Sequence, residues 1–291
     1  MKIVVASGKG GTGKSTVSAN LGSCLSANRE VILADCDVEE PNLHIFFSEA
    51  SDASDRTCGQ DVTVPVPSFD PERCNLCGKC ANFCRYGAIT VLKDRVILFE
   101  KLCHSCGGCR IICPNDAVTE VPRAVGRVIE DDINSNLKLI TGVLNEGEAV
   151  GIPVIKKVKA TAEDAELVIL DSAPGSACPA IETIEGADYC ILVTESTPFG
   201  LHDMALVAEV VRQAGIPAGV VINRSDDRDE ETEAFCHEHN LPIIMKIPFS
   251  KKIAAVQNRG DLFSSVMPEW QNRFIELFNL ISSTVKKERV I

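Results

Sequence analysis

Gly8-Lys9-Gly10-Gly11-Thr12-Gly13-Lys14-Ser15 follows directly on the apolar run Ile3-Val4-Val5-Ala6. This is the pattern G-x-x-x-x-G-K-[ST], which joins a buried strand to the first turn of a helix and cradles phosphate. Its glycines let backbone N–H groups turn inward on phosphate oxygens. Lys14 brings a cation to the β- and γ-phosphates, and the Ser15 hydroxyl is placed to ligate Mg²⁺, with Thr16 closing the loop. Val17, Leu21 and Leu25 predict a helix behind it, its positive dipole end at the phosphates.

Working outward, Val31-Ile32-Leu33-Ala34 predicts a second buried strand ending in Asp35-Cys36-Asp37. Leu167-Val168-Ile169-Leu170-Asp171 is an all-apolar strand ending in an aspartate that would hold Mg²⁺ through water. Carboxylates at strand C-termini line the crevice where open α/β sheets bind ligands. Lys9 is a second lysine inside the loop, which a phosphate cradle does not itself require. With it, the loop resembles the deviant Walker A of the MinD/ParA family of P-loop ATPases, within the superfamily of nitrogenase iron protein. That resemblance implies a homodimer clamping two ATP molecules through the nucleotide face, with Lys14 acting in cis and Lys9 reaching across the interface. It implies that Asp37 opens switch I and orients the attacking water, with Asp35 supporting. Ser172-Ala173-Pro174-Gly175 resembles switch II, Asn223 the adenine contact, and Pro248-Phe249 a wall beside the base.

Between these motifs the texture changes. Pro65, Pro67 and Pro71 interrupt any helix, and cysteines then arrive in two runs, Cys74, Cys77, Cys80, Cys84 and Cys103, Cys106, Cys109, Cys113. Each cysteine of the second run lies 29 positions after its counterpart, as do Gly107 after Gly78, Ala117 after Ala88 and Thr119 after Thr90, the mark of a duplication. The spacing C-x-x-C-x-x-C-x-x-x-C resembles bacterial two-cluster ferredoxins, in which the fourth cysteine of each run serves the other cluster. The resemblance implies one 4Fe–4S cluster on Cys74, Cys77, Cys80 and Cys113 and another on Cys84, Cys103, Cys106 and Cys109. Paired zinc knuckles would show separated C-x-x-C pairs instead. Arg85 stands where that pattern has proline, and His104 reads as loop surface.

The expected architecture is therefore α/β: a doubly wound, mainly parallel P-loop sheet in segments 1–66 and 125–291, carrying an inserted α+β ferredoxin domain at 67–124. Cys178 reads as a buried free thiol, the alternative being a redox or metal contact at the dimer face. Cys24, Cys36, Cys58, Cys190 and Cys236 read as structural. His237 and His239, two apart on a helix, face different directions and do not make a metal site. Trp270, Phe274, Leu277, Phe278 and Ile281 form the apolar stripe of a last helix.

Fourteen cysteines in clusters suit a reducing compartment, where thiols bind metals rather than pair. The chain opens without a signal-peptide pattern, so a cytoplasmic location is expected. A net charge of −12 opposes nucleic-acid binding. The mixed-charge end 286–291 is too short for a stable membrane anchor. These features imply an ATPase whose switch motions serve electron transfer to, or metallocofactor maturation of, a client protein. A MinD/ParA-like spatial organiser with the clusters as redox sensor is the alternative.

Overall fold

The computed structural model describes residues 1–47, 59–163 and 165–288. Cys58 and residues 289–291 lie outside them. Strands β1 (Lys2–Ala6), β2 (Val31–Asp35), β3 (Gln60–Phe69), β6 (Val118–Asn134), β7 (Leu137–Leu144), β8 (Val168–Asp171), β9 (Tyr189–Glu195), β10 (Ala218–Ser225) and β11 (Ile243–Pro248) make one sheet. Its order is β11-β10-β9-β1-β8-β2-β7-β6-β3. The seven strands from β11 to β7 run parallel. β1, β2, β8 and β9 are almost continuously buried, as apolar runs covered on both faces must be.

Two cores cover the sheet. On one face lie α1 (Lys14–Ser26), α8 (Lys251–Gln257), α9 (Phe263–Val266) and α10 (Pro268–Glu288). α10 buries the expected stripe plus Val285, and Trp270 meets Phe263 edge to face at 5.2 Å. Each such side chain contributes about 1.5–3 kcal/mol. On the other face lie α4 (Ile152–Thr161), α6 (Pro198–Gln213) and α7 (Glu230–Glu238), with α5 (Cys178–Ile184) packed against α4. Among the described residues no helix is long and apolar enough to cross a membrane.

The cysteine-rich segment grows out of the sheet itself. β6 pairs antiparallel with β7, and β3 pairs antiparallel with β6 from Gln60↔Val128 to Phe69↔Val118. The junctions expected at 66/67 and 124/125 thus fall inside strands of a continuous ribbon. Beyond it stand α2 (Lys79–Phe83), the hairpin of β4 (Ile89–Val91) and β5 (Val96–Leu98), and α3 (Gly108–Ile111). The duplication is visible in the backbone. Leu76 and Ser105 have φ 58° and 53°, Gly78 and Gly107 76° and 71°, Gly87 and Asp116 63° and 47°. Three matched pairs with positive φ at an offset of 29 positions, one of them (Leu76 and Ser105) without glycine in this sparsely populated region, mean that both loops are held in one shape.

Candidate nucleotide site and cysteine module

The C-terminal ends of β1, β2, β8, β10 and β11 meet at one edge of the sheet, around a cavity of about 460 Å³. Gly10, Gly11, Gly13, Lys14, Ser15, Thr16, Asp37, Asn223 and Pro248 all line it. Gly11 and Gly13 have φ 79° and 99°. Gly8 has no room for a side chain, because a Cβ there would stand 2.2 Å from the Asp203 carbonyl carbon. Thr12 is buried behind the cavity. Its carbonyl accepts a hydrogen bond from Asn223 Nδ2 at 2.8 Å. Asn223 therefore holds the loop as well as lining the cavity.

The charged groups are tightly placed. Lys14 Nζ is 3.8 Å from Asp37 Oδ2, both side chains largely buried. Burial raises the Asp37 carboxyl to about 6, against the opposing pull of Lys14. Asp171 is fully buried, and its carboxylate accepts from Ser15 Oγ at 2.5 Å and Ser18 Oγ at 2.9 Å. Burial pushes its pKa up, while Lys14 and the two hydroxyls pull it down. Asp35 faces away from the cavity and accepts from the backbone N–H of Leu43 at 2.9 Å and of Asp37 at 3.2 Å. It thereby holds the turn from Asp35 to Leu43 that carries Asp37. Gly175, just after β8, donates its N–H to the Ser7 carbonyl at 2.8 Å.

Lys9 stands outside the cavity, 3.8 Å from Glu195, which also pairs with Arg224 at 2.8 Å. Ser18, Glu195 and Arg224 were not foreseen. Ser18 sits one turn after Lys14 on α1, and only its proximity to Asp171, 153 residues away, gives it a role. Phe249, 69% exposed, lines the cavity beside Pro248.

Cys74, Cys77, Cys80 and Cys113 line one small cavity of the ribbon-borne module, and Cys84, Cys103, Cys106 and Cys109 another. Each cavity thus gathers three cysteines of one run and the fourth cysteine of the other. His104 stacks on Tyr86 at 3.6 Å beside the second cavity. Among the described residues no three His, Cys, Asp or Glu side chains form a group that could hold a metal ion. A single zinc needs four ligands about 2.3 Å from one point. A cubane offers a separate iron to each thiolate, so two quartets of thiols around two cavities fit that donor set. One expectation is corrected: Cys178, at the start of α5, is exposed rather than buried. Cys24, Cys36, Cys190 and Cys236 are buried, and His239 stacks on Phe235.

Residues 3–263 match the model of the CobQ/CobB/MinD/ParA nucleotide binding domain. The uncharacterized protein MJ0579 of Methanocaldococcus jannaschii is 32% identical over 268 residues, 90% of this chain and 91% of that protein. Among solved structures, the cell division ATPase MinD of Pyrococcus furiosus has a TM-score of 0.58 at 22% identity, over 97% of this chain and 98% of that one. A chain of the MinC:MinD cell division protein complex of Aquifex aeolicus has a TM-score of 0.56 at 17% identity, over 97% of this chain and 95% of that one. At these identities the likeness to solved structures is one of fold.

Proposed function

The chain belongs to the CobQ/CobB/MinD/ParA nucleotide-binding family, and from that premise we propose a cytoplasmic switch that closes on a second copy of itself with ATP and so recruits a partner protein. It is an ATPase of the MinD/ParA type. The observation that carries this reading is the convergence of Lys14, Asp37, Ser15 and Asp171 at one cavity edge. Lys14 and the loop N–H groups receive the β- and γ-phosphates, and Asp37, as carboxylate, orients water for in-line attack. Ser15 and Asp171 would hold Mg²⁺, which supplies charge neutralisation on the phosphates when bound. Lys9 exchanges Glu195 for the partner copy's nucleotide as the dimer closes. Hydrolysis removes the group that Asp37 and switch II hold, and both loops relax.

The eight module cysteines would hold two 4Fe–4S clusters, in the two quartets lining the cavities; bound clusters supply one-electron storage. The cell-division proteins among the structural neighbours favour partner recruitment, with the module sensing redox state. The cysteine quartets favour a second reading, ATP-gated electron transfer to a client or maturation of its metallocofactor.

The test uses Asp37→Ala, which should bind ATP without cleaving it and accumulate as a dimer on size-exclusion chromatography. Partners captured by this form only with ATP identify the client. Absence of phosphate release from the wild type, or a monomer at saturating ATP, would overturn the proposal. If clusters stay in place but are oxidised only with ATP and client, electron transfer is the output. If they pass to an apo-acceptor, maturation is.

A further inference from the structure

Val38 follows Asp37 directly and is held by the end of β7 and by the segment that leads from it into α4. A Cβ on Gly142 or on Gly151 would stand 2.7 Å from a Val38 methyl, so both glycines form a cradle for that side chain. The Leu144 N–H donates to the Val38 carbonyl at 2.9 Å. These contacts tie the residue that follows Asp37 to residues 142–151.

The same segment grips the cysteine-bearing ribbon. Asn145 donates its backbone N–H to the Val125 carbonyl at 2.9 Å and its Nδ2 to the Ala124 carbonyl at 3.3 Å. Glu148 accepts two hydrogen bonds from the Arg123 guanidinium, at 2.5 and 2.9 Å. Both side chains are largely buried, 15% and 8% exposed. Lys101 Nζ reaches the Glu146 carbonyl at 3.2 Å, and Lys101 lies in the turn Glu100–Leu102 that leads into Cys103. A planar, two-bond contact fixes orientation as well as distance, which a single flexible ion pair does not.

We propose that residues 142–151 are a transmission element carrying the position of Asp37 to the second cysteine quartet, with Arg123 as the positioning residue at its joint. The proposal rests on the functional reading above, in which Asp37 answers to the γ-phosphate and the quartets hold clusters. It goes further by naming the path between two sites that would otherwise be neighbours without coupling. Coupling, where present, is reciprocal: if ATP changes the environment of a redox centre, the oxidation state changes ATP affinity by the same factor.

The experiment measures the midpoint potentials of anaerobically purified holoprotein, with and without a non-hydrolysable Mg-ATP analogue, for the wild type, Arg123→Ala and Glu148→Gln. A tenfold coupling, within the usual range, appears as a shift of about 59 mV for a one-electron centre. The wild type should show such a shift in one centre, and both variants should lose it while keeping wild-type iron content and ATP cleavage. A shift that persists in both variants, or is absent from a wild type that holds eight irons and cleaves ATP, overturns the proposal. Iron far below eight per chain, or no ATP cleavage, would instead sink the functional reading, and the two failures are thereby distinguished. Should Arg123→Ala not fold, Glu148→Gln keeps the side chain's shape, and hydrogen exchange decides in the wild type. Amides of Val125 and residues 144–148 should change protection on adding the analogue, and unchanged protection there would overturn the proposal.

Discussion

Replacing Ser18 by alanine tests the electrostatics of the nucleotide site at a residue that is not expected to touch nucleotide. Ser18 Oγ has two acceptors in reach, the Lys14 carbonyl at 3.1 Å and Asp171 Oδ1 at 2.9 Å. One hydroxyl proton cannot serve both well, and the shorter, charge-assisted bond wins. Losing a hydrogen bond to a charged group costs about 1.5–3 kcal/mol, and the fully buried Asp171 has no water to replace it. Alanine returns about 0.5 kcal/mol through its higher helix propensity on α1. The net expectation is a loss of roughly 1–2.5 kcal/mol, and at about 2 °C per kcal/mol for a chain this large, a melting midpoint lower by about 2–5 °C. Differential scanning fluorimetry of the nucleotide-free protein at pH 7 reads this directly. The Asp171→Asn background supplies the control: without the carboxylate the Ser18 effect should shrink to under about 1 kcal/mol. A Ser18→Ala midpoint within 1 °C of wild type, or an equal loss in both backgrounds, would refute the claim that Ser18 steadies a buried carboxylate.

Three further outcomes are expected. Asp37 must be ionised to orient water, and its carboxyl lies at about 6, above its ordinary value, so kcat/KM for ATP should fall as pH drops through about 6. The sign for stability is the opposite: between about pH 4 and 6 the native state holds more protons, so stability falls as pH rises through that window, and Asp37→Asn should abolish cleavage and remove this part of the stability profile. Gly13→Ala places a methyl 2.3 Å from Asn223 Nδ2 at φ 99°, costing about 1–2 kcal/mol in backbone strain alone, and should weaken ATP binding at least tenfold by calorimetry. Cys113→Ser should lower iron by about half while its run-mate Cys109 continues to serve the other quartet; loss of signal from the second centre only would refute the exchanged assignment.

What the sequence by itself determined were the features set by neighbours a few residues apart. Glycines and Lys14 behind an apolar strand dictate a phosphate loop, because local backbone angles and one short side chain suffice. The 29-residue repeat dictates two loops of one shape, which recur as matched positive φ values at Leu76 and Ser105. Apolar runs such as Leu167-Val168-Ile169-Leu170 and the stripe of α10 declared their burial in the same way.

Only the tertiary structure decided what depends on strand order. The ribbon of β3 and β6 belongs to the main sheet because β6 pairs with β7, and no local pattern states that pairing. Ser18 meets Asp171, Lys9 meets Glu195, and Arg123 meets Glu148 across long separations in the chain. The exposure of Cys178 likewise follows from where α5 packs, since a thiol's burial is a property of its surroundings and not of its spacing. Periodicity specifies which face of an element turns inward; which other element waits there is settled by the order in which the sheet assembles.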